Sequence, residues 1–457
     1  MTQRPNFFIM MAEAWRPDHL GAAGHPVIKT PHMDALAAEG VMFDRAYCAA
    51  AQCAPSRTSY VTGMYPHSHG VMFNKIQMPS CHRTMGHYLS DEGYRTAWIG
   101  KGHNEPPRAD YGFDLLKLSD GGNTPMWDDD YFLWLHEQGV DVDTIQGLWD
   151  EVWNFHQEPF RKYSRHSSYL SPLPEDQVQV GWITHETKAF VQSAIDEDRP
   201  FCAFASHHAP QNHDDLPEPY HSMYDPADVP VPENGELTPE LAQAIASHMG
   251  KVSMLDAHVG AVVKFLRERG VLDNTVIVLT SDHACFLGER GMRNKMWTYE
   301  MDARIPMIFR YPEQIRQGVR TDALMSNIDA LPTMLDLAGV QMPGAIQGVS
   351  QLDVLTGVRD SVRETVLCES GPAGKQRKGV WHGDWQLLYR TGLPKVELYN
   401  LREDPGQMND LGGDPAHEAV RNELLQAMLK EYVTTERYPV PMSAYETQRQ
   451  AGLFNRL

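Results

Sequence analysis

No stretch of this chain approaches the ~20 consecutive apolar residues that a membrane-spanning helix requires, so a membrane-embedded class is set aside. A basic excess is also missing: 40 Lys and Arg stand against 60 Asp and Glu, a formal net charge of −20. Displacing counterions from nucleic acid takes a positive surface, so general nucleic-acid binding is not expected. A small anionic substrate stays compatible, because a few converging Lys, Arg and His residues make a local positive pocket. The six cysteines (48, 53, 81, 202, 285, 368) form no CxxC pair, which argues against a zinc ribbon or a disulfide framework. Low-complexity tracts and repeats are lacking too. What remains is ordinary globular composition, 42% hydrophobic and 22% charged, over 457 residues, enough for two or three domains. The opening "MTQRPNFFIMMAEAW" holds an apolar run too short for a secretory segment and no small-residue cleavage site after it. A first strand and a cytoplasmic setting are the expectations.

Short, nearly continuous apolar runs have the composition of buried strands: "NFFIMM" (6–11), "RTAWIG" (95–100), "FCAFAS" (201–206), "TVIVLT" (275–280) and "PMIFRY" (306–311). Amphipathic stretches such as 32–40 and 253–270 alternate with them, the second ending at Gly270. This alternation predicts an α/β domain with a mainly parallel sheet. The stretch 110–175, rich in Trp, Asp and Tyr, reads as an insertion or lid. Residues 379–401 read as a hairpin or meander, followed by a helix at about 415–434. The predicted division is a catalytic domain over 1–358, a smaller α+β unit over 359–440 and a tail over 441–457.

Polar residues follow the runs at one kind of place: Glu13, Lys101 with His103, His207 with His208, and Asp282 with His283. The carboxyl ends of strands in an open α/β sheet share one edge, where ligands bind. A lone His after a strand is more often a loop-capping residue, but four runs each delivering such groups argue for a common site. Glu13, Asp282 and His283 make a reasonable set for a hard cation. Arg57, Lys101 and Lys295 could hold an anion. On spacing alone, Lys295 in "MRNKMWTYE" reads as a solvated loop lysine. Cys53, in "CAPSRTSYVTG", stands where a helix starts. It is readable as an inert buried thiol, as a thiolate favoured by the helix terminus and Arg57, or as a modified cysteine.

At Cys53-Ala54-Pro55-Ser56-Arg57 with Thr62-Gly63, the sequence resembles the type I sulfatases of the alkaline phosphatase superfamily, whose signature is C-x-P-S-R with T-G a few residues on. "TPHMDALAAEGVMFDRAYC", "GKGH" (100–103), "SHHAP" (206–210), "LDNTVIVLTSDHACFLGERG" and "ELYNLREDPGQMNDL" (397–411) are similar to further motifs of that family. The resemblance implies a large, mainly parallel central sheet flanked by helices, with a smaller C-terminal α+β subdomain containing an antiparallel sheet. It implies that Cys53 is oxidised to Cα-formylglycine (3-oxoalanine) by a formylglycine-generating enzyme. It implies one divalent ion on Glu13, Cys53, Asp282 and His283, Ca2+ by family default with Mg2+ or Mn2+ as alternatives. One hydroxyl of the hydrated aldehyde would attack the sulfur, His208 and Lys295 would serve the leaving oxygen, His103 would act as base, and Arg57 and Lys101 would orient the diol and neutralise charge.

One departure stands out. The family usually ends its first strand with two adjacent acids ahead of R-x-D; here Glu13 takes the first place and Ala14 the second, before Arg16 and Asp18. Three readings follow: a sulfuric ester hydrolase acting on a small or aryl sulfate, a formylglycine-dependent phosphonate monoester or phosphodiester hydrolase, and a metal-poor relative that only binds anions. Trp127, Trp134, Trp149, Trp153 and Phe155 suggest stacking on an apolar group, although core packing explains them equally well. The tail "MSAYETQRQAGLFNRL" could pack on a second copy.

Overall fold

The computed structural model describes all residues except 1–3, 122–123, 158–167, 212–214, 343, 372–373, 394 and 436–457. The expected tail at 441–457, and any oligomer contact through it, lie outside the described residues, as does 158–167 of the expected insertion. The elements used below are β1 (Asn6–Glu13), β2 (Val41–Tyr47), α1 (Cys53–Thr62), β3 (Arg95–Gly100), β4 (Leu115–Leu118), α2 (Gln179–Asp196), β5 (Phe201–Pro210), α3 (Pro239–Glu268), β6 (Thr275–Ser281), β7 (Met307–Arg310) and β8 (Val319–Ser326). Four further strands, β9 (Thr365–Ser370), β10 (Arg377–His382), β11 (Trp385–Arg390) and β12 (Glu397–Asn400), precede the helix α4 (Glu418–Thr435).

Every residue of β1 is buried, as a strand covered by helices on both faces must be. Its two-residue period divides the side chains between two cores. Phe8, Met10 and Ala12 join the α2–α3 side with Trp182, Ile183, Leu255 and Val259. Phe7, Ile9 and Met11 join the opposite side with Tyr60, Val61, Leu331 and Leu335. The eight strands run in the order β8-β2-β7-β6-β1-β5-β3-β4. All pair in parallel except β7, which lies antiparallel to both β2 and β6. The sheet is therefore mainly parallel, and the run at 306–311 is its one reversed member. The 110–175 stretch supplies the edge strand β4 and two helices, Asp130–Glu137 and Val142–Gln157.

The antiparallel meander β9-β10-β11-β12 packs Leu367, Val380, Leu387 and Leu398 against Leu424 and Met428 of α4. It is joined to the segment ahead of Cys53, where Glu369 N–H donates to Ala49 O at 2.8 Å and Ala51 N–H to Ser370 Oγ at 3.0 Å. No helix among the described residues is long and apolar enough to cross a membrane.

Candidate active site

Register brings the strand ends level. Met11 of β1 pairs with Ser206 of β5, Gly100 of β3 pairs with Ser206, and Ala12 pairs with Ser281 of β6. The residues that follow, Glu13, Lys101, His207–His208 and Asp282–His283, thus emerge along one edge. Gly100 is needed there: its φ is +99°, and a Cβ would fall 2.0 Å from Ser206 O, the same oxygen that accepts from Lys101 N–H at 2.7 Å.

Cys53, 3% exposed, opens α1 across this edge. It is present as the thiol, and its Sγ marks where the oxygen of a derived aldehyde would be carried on the same Cβ. Sγ lies 3.0 Å from Glu13 Oε1 and 3.4 Å from His283 Nε2. Donor atoms of Glu13, Cys53, Asp282 and His283 all fall within 4.8 Å of one another. Around them, Lys101 Nζ pairs with Glu13 Oε2 at 2.6 Å, with both side chains 1% exposed. Lys295 Nζ reaches Cys53 Sγ at 2.9 Å, His283 Nε2 at 2.7 Å and Glu13 Oε1 at 3.5 Å. The Lys295 side chain is 8% exposed, so the solvated-loop reading is overturned: its loop turns inward rather than out to water. Arg57 directs Nε to Asp282 Oδ2 at 3.0 Å and its other donors to Ser206 Oγ and His207 O. It braces a carboxylate at the bottom of the site. His208 Nε2 donates to Ser119 O at 2.7 Å, leaving Nδ1 on the site side, 3.7 Å from Glu13 Oε2.

Burial opposes the charge on Glu13, yet Lys101, Lys295, His208 and Arg57 hold its carboxyl well below the usual range. Asp282 is also lowered: burial works against it, but His283 and Arg57 outweigh burial and the repulsion from Glu13. For the Cys53 thiol, burial and Glu13 push upward, while Lys295, Lys101 and His283 prevail and bring it below its ordinary value. Lys295 moves the opposite way: burial disfavours its charge, but Cys53, Glu13 and Asp282 raise it. His103 is pushed down to about 3 by burial and by Lys101. Its backbone N–H donates to Asp120 Oδ1 at 2.6 Å, and its buried ring Nδ1 makes no hydrogen bond among the described residues. A neutral imidazole with an open nitrogen is a proton acceptor.

The residues singled out from the sequence, Glu13, Cys53, Arg57, Lys101, His103, His208, Asp282, His283 and Lys295, therefore converge. Several neighbours were not singled out. Gln211 Oε1 accepts from Lys295 Nζ; its place directly after "SHHAP" was the available signal. Asn74 Oδ1 accepts the Ala54 N–H at 3.1 Å, and Asp120 binds the Gly102 and His103 amides; neither has a local sequence signature. Ala14, fully buried, takes a left-handed φ of +61° and contributes backbone only, its N–H to Asp282 Oδ1 at 3.2 Å. Of the aromatics, Trp127 is 45% exposed, Trp134 and Trp149 pack on the core, and the Trp153 and Phe155 side chains lie outside the described residues.

Residues 5–340 match the Sulfatase family, and residues 288–434 match the C-terminal region of N-sulphoglucosamine sulphohydrolase. The N-acetylglucosamine-6-O-sulfatase of Bacteroides thetaiotaomicron is 27% identical over 93% of this chain and 86% of its own length. The arylsulfatase of Clostridium perfringens is 27% identical over 94% of each. Among solved structures, the phosphonate monoester hydrolase of Agrobacterium radiobacter superposes with a TM-score of 0.81 at 23% identity, covering 94% of this chain and 96% of that one. A protein solved with its substrate D-glucosamine-2-N,6-O-disulfate superposes at 0.76 and 23% identity, covering 95% and 98%. At these identities the two superpositions establish a shared fold.

Proposed function

Since the chain belongs to the sulfatase family of the alkaline phosphatase superfamily, we propose that it hydrolyses a small or aryl sulfate ester at residue 53, with that residue converted to formylglycine and one divalent cation beside it. The observation that carries the reading is the convergence of Glu13, Cys53, Asp282 and His283 within 4.8 Å, ringed by Lys101, Lys295, His103 and His208.

The donor set suits a cation. Two buried carboxylates, with Glu13 disfavouring the charge on Asp282, and an imidazole are the chemistry a hard divalent ion satisfies. Glu13, Asp282, His283 and the oxygen on residue 53 would hold it, with Ca2+ as the default and Mg2+ or Mn2+ as alternatives. When bound, the cation supplies charge stabilisation and the formylglycine hydrate supplies the attacking hydroxyl. The chain's own groups do the rest. Lys295, kept protonated by Cys53, Glu13 and Asp282, places an ammonium against residue 53 and against the anion that docks there. His208 presents Nδ1 to the leaving oxygen, and His103, held neutral, receives a proton. Lys101 and Arg57 keep Glu13 and Asp282 ionised and aimed. A cytoplasmic setting belongs to the same reading, supported by six free thiols.

Parallel turnover of an aryl sulfate and an aryl phosphodiester, on protein co-expressed with a formylglycine-generating enzyme, tests the assignment. Preference for the sulfate is expected. Preference for the phosphodiester or for a phosphonate monoester would move the enzyme to the second reading, because both esters present tetrahedral anions to the same groups. Verified aldehyde at residue 53 with no turnover of either would leave the anion-binding reading.

A further inference from the structure

The loop that carries Lys295 holds an unusual backbone. Asn294, Met296 and Thr298 have φ of +72°, +81° and +64°, so left-handed residues alternate with ordinary ones on both sides of the lysine. None is glycine, and an L side chain, above all the β-branched one of Thr298, disfavours that conformation. Such backbone persists only where its surroundings over-determine it.

Three side chains do so. Arg377 Nη1 donates to Met296 O at 2.7 Å, and its guanidinium lies over the Trp297 ring, 4.3 Å from the centroid. Gln386 Nε2 donates to Thr298 O at 2.6 Å. The Asp302 carboxylate accepts the N–H groups of Trp297, Thr298 and Tyr299 at 2.6, 3.2 and 2.8 Å. Asp302 follows closely in sequence, but Arg377 and Gln386 belong to β10 and β11, neighbouring strands of the C-terminal sheet. Gln386 is fully buried and is itself seated by Gln407, which also accepts the Glu300 N–H at 2.8 Å.

We infer that Arg377 and Gln386 are positioning residues for Lys295. They fix the carbonyls of Met296 and Thr298, and so impose the alternating backbone that brings Lys295 Nζ to Cys53 and His283. The C-terminal sheet thereby acts as the template for a loop that carries an active-site lysine to the edge of the central sheet. The inference rests on the proposed role of Lys295, and its test separates the two.

R377M, R377K and Q386A are made in the full-length protein with residue 53 converted, in both wild-type and K295A backgrounds. Turnover of an aryl sulfate is measured alongside hydrogen–deuterium exchange of the segment 292–302. With Lys295 present, R377M and Q386A should each lower kcat about tenfold or more, since a misplacement of ~1 Å suffices for such a loss. In K295A, neither should lower the residual rate more than about twofold, because groups acting through one residue are non-additive. R377K should recover part of the rate. Exchange at 297–299 should quicken in R377M and Q386A. Equal losses in both backgrounds would overturn the inference, since a merely structural effect does not depend on Lys295. So would a raised KM with unchanged kcat and unchanged exchange, which would place Arg377 on the substrate instead. If the wild type turned over no sulfate ester, the reaction assignment would fall, and unchanged exchange at 297–299 would still overturn the positioning by itself.

Discussion

Replacing Lys101 with Met tests the electrostatics of the site with a bounded magnitude. Lys101 and Glu13 form a 2.6 Å pair with both side chains 1% exposed, and removing one partner of such a pair costs about 3–5 kcal/mol in general. Here a ceiling applies, because Glu13 can escape by taking up a proton. At pH 7 a carboxyl with the ordinary value of 4.5 does so at a cost of about 3.4 kcal/mol, from about 1.36 kcal/mol per pH unit. Lys295 at 3.5 Å and His208 at 3.7 Å stay behind and offset part of the loss. The expected destabilisation of chelator-treated Lys101→Met protein is therefore about 2–3 kcal/mol at pH 7. The lowered Glu13 value keeps the wild-type contribution constant above pH 4.5. The pH dependence comes from the variant, whose unpaired Glu13 takes up a proton in the folded protein. At pH 5.5 that protonation costs only about 1.4 kcal/mol, so the difference from wild type should shrink by up to about 2 kcal/mol. Denaturant unfolding at both pH values measures this. A loss under about 1 kcal/mol at pH 7, or one still above about 2 kcal/mol at pH 5.5, would refute the reasoning.

The other predictions concern the modification, the metal and the seam between the sheets. Co-expression with a formylglycine-generating enzyme should lower the mass of the peptide bearing Cys53 by about 18 Da, the change from thiol to aldehyde, and Cys53→Ala should show neither this change nor turnover. Chelation should reduce turnover and added Ca2+ restore it, while Ala14→Asp, which adds a carboxylate next to Glu13, should strengthen metal retention about tenfold by metal analysis after dialysis. Glu369, fully buried beneath Lys378, His67 and Tyr432, should destabilise the protein by about 2–3 kcal/mol when changed to Gln. Although burial opposes its charge, Lys378 and His67 hold its carboxyl well below the ordinary 4.5; the wild-type advantage should be complete above that pH and shrink as acid is added, as unfolding midpoints across pH would record.

Much of this protein was legible in the chain. The buried strands announced themselves as short apolar runs, because a strand covered on both faces has no polar side to show. The rim residues Glu13, Lys101, His208, Asp282 and His283 followed those runs by position, since parallel strands end together. Other features left no local trace. β2 and β8 carry charged residues such as Asp44, Arg45, Arg320 and Asp322, which conceal them as strands. A four-residue run such as β7 reads the same in either direction, so its reversal was settled only by its neighbours β2 and β6. Lys295 is the sharpest case. Sequence placed it in a polar loop and, apart from the family resemblance, could not turn it inward, because its backbone is imposed by Arg377 and Gln386, 82 and 91 residues further along the chain. Sequence thus determined which groups stand at the ends of strands, where local periodicity and strand direction suffice. Only the tertiary structure decided how a disfavoured loop is held against them, because that takes contacts from a second sheet.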